Sequence, residues 1–336
     1  MDRLSYKITV ESATQVTSLP SFAALRVSKS IHSIIETGVI ELPINAMVRT
    51  NGKLNTASVD TAKQFNEGDK VEILAGYNGV LKHEFKGFVR RKDFTDPCKL
   101  ILEGYSYQLR KKAPQKSWKK ANLRDVLKEL IAGTDITIHP DTATDLYYEP
   151  LYIGLKQQTA LEVIEDLKVK KAIVAYFING NELYMGGDAL ALRNEVVRHK
   201  LGWNTTDESQ LIYRRAEDVK VAVKVSYTDS KGKKREVTGG EKGGIERPYL
   251  FGRLSSSDEA IAIAIRDAQQ YRYEGYEGRI KTRLVPYCQP GYKSEVTDEI
   301  YNVRAQNVIV EATELEINDD GDTRTIELGK RINKQV

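Results

Sequence analysis

From Asp69 the chain reads Asp-Lys-Val-Glu-Ile-Leu-Ala-Gly-Tyr, then Asn78-Gly79, then Val-Leu-Lys-His-Glu-Phe-Lys-Gly-Phe-Val to Val89. Both runs alternate with the two-residue period of a strand. The Asn-Gly pair between them accepts the positive φ that a type I′ turn requires at both central positions. A long β-hairpin is therefore predicted, and it commits its surroundings to antiparallel sheet. Tyr6–Glu11 and Val39–Leu42 supply further strands, and Leu100–Glu103 supplies another that ends at Gly104. Residues 1–112 read as an N-terminal β-barrel or small sandwich.

The pattern changes after the lysine-rich stretch around Pro114. Asn122 is placed to cap a helix with apolar positions Leu123, Val126, Leu127, Leu130 and Ile131, and Gly133 to end it. Thr159-Ala-Leu-Glu162 is a capping box opening a second helix with Leu161, Ile164 and Leu167 on one face. With Ile136–Ile138, Ala172–Phe177 and Glu182–Met185 as strands, residues 113–192 read as an α+β insert. Residues 193–336 read as a second β-barrel: Val219–Tyr227 alternates and pairs with Arg235–Val237, and strands resume from Gly278 through Leu328. One long helix, about 256–275, opens with the capping box Ser256-Ser-Asp-Glu259. The expected fold class is mainly β with an α+β insert, two similar antiparallel barrels flanking a small two-helix domain.

A weak internal repeat supports two like barrels. Gly68-Asp-Lys-Val-Glu-Ile73 and Gly291-Tyr-Lys-Ser-Glu-Val296 share a Gly-x-Lys-x-Glu-aliphatic pattern. Each is followed by a closing strand and glycine, Leu100–Gly104 in one case and Thr325–Gly329 in the other.

Motifs for chemistry are absent from the sequence. His32, His83, His139 and His199 stand singly without metal-ligand spacing, so no metal and no cofactor is expected. Cys98 and Cys288 have no local helper motif, and two cysteines make no disulfide framework. The glycine-rich stretch Gly239–Gly244 lacks the Lys-Ser/Thr ending of a phosphate loop, and Asn318–Asp322 lacks the distal glutamate of a calcium loop. No apolar run is long enough to span a membrane, and no signal peptide precedes Tyr6, so synthesis in the cytoplasm is expected. With 51 basic against 47 acidic residues, the charge does not point to a nucleic-acid binder. The run Arg110, Lys111, Lys112, Lys116, Lys119, Lys120 reads as a solvated linker.

The 18 tyrosines point instead to contact surfaces. Tyr271, Tyr273 and Tyr276 cluster at the predicted helix end, either packing it on its barrel or meeting another subunit. The hairpin tip Tyr77, Asn78, Gly79 and the Gly239–Gly244 loop are the other expected contact elements.

Four segments together resemble the tail or baseplate hub proteins of contractile-tailed bacteriophages and related injection machines, the late control protein D type. They are Glu67–Ile73 with Phe85–Val89, Leu102-Glu-Gly-Tyr-Ser-Tyr107, the insert from Trp118 to Met185, and Tyr273–Gly278 leading into Pro290-Gly291. The resemblance implies a non-enzymatic virion structural protein assembled in the bacterial cytoplasm. It implies a homotrimer whose six barrels join the tail tube protein to a spike protein and continue the channel through which DNA or an effector passes. No sequence-specific nucleic-acid contact and no membrane insertion is implied. The chain ends soon after the second barrel, so a puncturing tip or lysozyme is expected on a separate polypeptide. Two other readings remain open at this point. The insert also resembles small envelope domains of secretins and receptor plugs, and a tail-associated hydrolase with a site invisible in the sequence is the other.

Overall fold

A computed structural model describes residues 3–54, 59–154, 157–171, 173–187, 193–207, 210–215, 217, 220–229, 231–243, 245–253, 257–268, 275–300 and 305–331. The principal elements in the first third are β1 (Leu4–Glu11), β2 (Val16–Leu19), β3 (Ala24–Ser30), β4 (Ser33–Leu42), β5 (Lys70–Tyr77), β6 (Val80–Asp93) and β7 (Cys98–Glu103). They pair in the order β3-β4-β7-β6-β5-β1-β2. Alternate residues of these strands, including Ile8, Leu25, Ile40, Ile73, Phe85 and Leu100, share one buried core, so the sheet is rolled around it. The β5–β6 turn is as expected: Asn78 and Gly79 have φ of 52° and 81°.

The insert holds α1 (Leu123–Ile131), α2 (Ala160–Lys171), β8 (Val174–Ile178) and β9 (Glu182–Gly186). The Asn122 side chain accepts from the Arg124 N–H at 2.9 Å. The capping box closes reciprocally, with Thr159 N–H to the Glu162 carboxylate at 2.7 Å and Glu162 N–H to Thr159 Oγ1 at 3.3 Å. Both helices turn their apolar faces onto the β8–β9 hairpin. Ile34 and Phe88 of the first barrel, with Tyr105 and Tyr107, complete that core, so the insert is seated on the barrel. Phe88 stacks on Tyr107 with centroids 5.2 Å apart.

The last third contains β10 (Val196–Lys200), β11 (Ile212–Arg214), β12 (Val221–Thr228), β13 (Lys234–Gly240), β14 (Ile245–Arg253), α3 (Ser257–Ala268), β15 (Gly275–Thr282), β16 (Lys293–Thr297), β17 (Gln306–Asn318) and β18 (Gly321–Arg331). This segment is more divided than its alternation implied. β12, β13 and β14 form a separate three-stranded sheet with its own small core, Val223, Val225, Tyr227 and Ala264, under α3. Of the helix expected over about 256–275, residues 257–268 are described as α3, and Gly275 belongs to β15. The barrel is built from β11-β15-β18-β17-β16-β10 around Val197, Ile280, Val296, Val310, Ile326 and Leu328.

The two barrels repeat strand for strand: β5, β6, β7, β4, β3 and β1 correspond to β16, β17, β18, β15, β11 and β10. The correspondence reaches individual hydrogen bonds. Gly68 N–H donates to Val89 O at 2.8 Å while Val89 N–H donates to Asp69 O at 2.9 Å. In the second barrel Gly291 N–H donates to Val310 O and Val310 N–H to Tyr292 O, both at 2.9 Å. A bulge follows each, at Val89/Arg91 and at Val310/Ala312. Leu102 then faces Val89 and Gly38, as Leu328 faces Val310 and Gly278. The closing glycines are therefore one step out of register: Gly329 corresponds to Glu103, not to Gly104. Strand periodicity is two, so the buried leucines rather than the glycines must align. One strand breaks the likeness, since β1 runs antiparallel to β5 whereas β10 runs parallel to β16.

The barrels are not separate beads. Beyond the bulge β17 leaves its own barrel and pairs with β3 of the first, from Ala312 opposite Ser30 to Ile317 opposite Leu25, placing Leu315 and Ile317 in the first core.

Candidate functional site

Where the barrels meet, inward-facing positions carry charge. Arg324 shares a strand face with Ile326 and Leu328, and the bulge between His83 and Phe85 turns Glu84 inward. The two meet at 2.7 Å with side chains only 1% and 2% exposed. Arg324 also donates to Cys288 O at 3.2 Å and lies over the Tyr287 ring at 5.3 Å. Tyr287 in turn donates its hydroxyl to His83 O at 2.6 Å. Nearby, the Tyr77 hydroxyl donates to the Asp322 carboxylate, which also accepts the Leu284 N–H at 3.3 Å. This junction is a buried, charge-assisted weld between the two barrels.

The expected contact residues divide accordingly. Tyr77 is spent on the weld, and burial together with Asp322 pushes its phenol up to about 12. Asn78 and Gly79 are exposed at the tip but laced to the first strand: Asn78 N–H donates to Arg3 O at 2.8 Å, and Gly79 N–H to Ser5 Oγ at 3.0 Å. Tyr276 does not present a contact surface in this chain. It lies on a strand, is fully buried in the second core and meets the Tyr213 ring edge-on at 5.7 Å. Tyr271 and Tyr273 lie outside the described residues, as does Gly244. Gly239 is no loop tip either, for a Cβ there would stand 2.6 Å from Ile261 of α3. The Glu84–Arg324 pair has one signal in the sequence, a lone arginine in phase with Ile326 and Leu328.

No known family and no curated protein matches the sequence. Solved structures do match. The 43 kDa tail protein of prophage MuSo2 from Shewanella oneidensis superposes with a TM-score of 0.64 at 12% identity, over 96% of this chain and 98% of that one. The fold is that of phage tail proteins. A tail protein from Neisseria meningitidis matches with a TM-score of 0.62 at 12% identity, covering 96% of each chain. A type VI secretion system component from E. coli matches at 0.57 and 10%, over 96% of this chain and 76% of that one.

Within this tail-protein fold, one pair has the outline of catalytic machinery. His199 Nδ1 lies 2.7 Å from Ser294 Oγ, the spacing of a base and its nucleophile. Both residues are fully buried. Burial, with the nearby Arg324 charge, lowers the imidazole to about 4, so it stands neutral inside the second barrel. Burial likewise pushes the Cys288 thiol up to about 12, away from reactivity. The basic run is solvated in part and paired in part: Lys111, Lys119 and Lys120 are exposed, Arg110 pairs with Glu103 at 3.2 Å, Lys116 with Glu129 at 2.6 Å, and Lys112 caps the end of α1 through Glu129 O and Ala132 O. Among the described residues no cluster of three or more His, Cys, Asp or Glu side chains suits a metal ion, and no helix is long and apolar enough to cross a membrane.

The neutral His199 has a measurable consequence. The unfolded chain takes up this proton near pH 6.5, the folded chain only near 4, so the stabilisation is complete above pH 6.5 and lost as pH falls through that window. The loss amounts to about 3 kcal/mol. Denaturation of the protein and of His199→Asn, compared from pH 7 to pH 4, should show the difference shifting against the parent as pH falls. A pH-independent difference contradicts the assignment.

Proposed function

We propose that the chain is the structural hub of a phage or phage-like tail. Three copies form a ring that joins the tail tube to the central spike and continues the channel. The observation that carries this reading is the repeat. Two barrels alike down to the Gly68–Val89 and Gly291–Val310 hydrogen-bond pairs give a trimer six equivalent positions, which is what joining a three-fold spike to a six-fold tube requires. The weld supports it, because a ring that transmits load needs its two barrels fixed relative to each other, and Glu84–Arg324 and the β17–β3 ladder fix them. The neighbouring structures, tail proteins and a secretion-system component, agree with a mechanical role. The partners are then the tube protein and the spike protein, and the place of action is the tail baseplate after assembly in the cytoplasm.

The test is to add the purified chain to preassembled tubes of a phage tail tube protein from the same source and to image them. The reading predicts density capping one end only; tubes left bare, or decorated along their sides, contradict it.

A further inference from the structure

The intrachain barrel contact and the repeat together specify a second contact that one chain cannot make. In the second barrel, β17 continues past its bulge and lays residues 312–317 along the outer edge of β3. The matching strand of the first barrel, β6, also continues past its bulge, as Arg91, Lys92 and Asp93, paired with β7 on one side. Counting from Val89 and Val310, Asp93 corresponds to Glu314 and Phe94 to Leu315. Leu315 is 2% exposed and packs in the first core opposite Val27; Phe94, its counterpart, stands 76% exposed at the tip of the β6–β7 hairpin.

The receiving edge repeats as well. β3 corresponds to β11, with Ser28 matching Ile212 and Val27 matching Leu211, through their partners on β4 and β15. The outer edge of β3 is taken by β17. The outer edge of β11 ends the long sheet among the described residues, and Ile212 there is 65% exposed. Among the described residues the opposite edge of each barrel is occupied. β2 covers β1, and on β10 the Asn204 side chain stands in for a strand, accepting from Lys200 N–H at 2.8 Å and donating to Arg198 O at 2.9 Å.

We propose that the β6–β7 hairpin of one copy adds antiparallel to β11 of the next, with Asp93 opposite Ile212 and Phe94 entering the second core beside Leu211. The proposal rests on the ring reading and names the subunit contact in it. Each interchain contact would repeat the β17–β3 contact within a chain, giving six like joints in a closed head-to-tail ring.

Two variants test it. Phe94→Asp changes an exposed side chain, so at concentrations where both proteins are single chains its melting should match the parent, while self-association weakens by on the order of 10- to 100-fold per contact, the worth of one buried phenylalanine. The double variant Asp93→Cys with Ile212→Cys, oxidised, should give disulfide-linked species of up to three chains. A mixture of the two single variants should stop at two. Native Cys98 and Cys288 are 2% and 0% exposed and do not compete. A trimer that survives Phe94→Asp and yields no cross-link overturns this contact and leaves the ring standing. A chain that stays single up to its solubility limit overturns both.

Discussion

Arg324→Met should cost about 3–5 kcal/mol of folding stability, more than any charge-neutralising change on the surface of the protein. The reason is what it leaves behind. Glu84, 2% exposed, would keep a charge 240 positions away in sequence from the partner it lost, with a 3.5 Å contact from Gln289 as its remaining hydrogen bond among the described residues. Replacing both partners, Glu84→Leu with Arg324→Met, should recover most of the loss, because the desolvation penalty leaves with the charges. Equilibrium denaturation measures both. An Arg324→Met variant within about 0.5 kcal/mol of the parent would show the weld to be ornamental.

Gly278→Ala should be nearly as damaging, at about 3 kcal/mol. Gly278 has a φ of 122°, and a Cβ would lie 1.9 Å from Gln210 O, so backbone strain adds to a collision with β11's approach. Its counterpart Gly38 is a built-in control. There a Cβ would meet Leu102 Cδ1 at 3.2 Å and Arg26 O at 3.4 Å, contacts that a small shift relieves. Gly38→Ala should therefore cost about 1 kcal/mol. Equal losses at the two glycines would mean that the bulge at Gly278 is not what shapes the second barrel's edge.

What could be read from the sequence was local. The Asn78-Gly79 turn, the Asn122 cap and the Thr159–Glu162 box each satisfy their own backbone within a few residues, so their chemistry is visible in a short window. The repeat was visible too, at Gly68 and Gly291, but its closing strands were matched on glycines. The phase is set by the buried leucines, Leu102 opposite Val89 and Leu328 opposite Val310, and that pairing across strands is not visible in a short window. Three features lay beyond reach for one reason, that they join distant segments. The β17–β3 ladder and the Glu84–Arg324 weld depend on how the barrels dock, and the separation of β12–β14 with α3 from the second barrel depends on which edges pair. For Tyr276 the sequence leaves core and interface open, because a tyrosine's polar tip suits both equally. Only the Tyr213 ring and the surrounding barrel decide it.

The ring requires this chain to close on copies of itself in threes. The most direct test is the mass of the purified protein in solution, by light scattering on a sizing column across a concentration series. A ring-forming chain should give a species of three times 37.9 kDa that grows with concentration at the expense of the single chain. A mass that stays at one chain throughout, or settles at two or four, would contradict it.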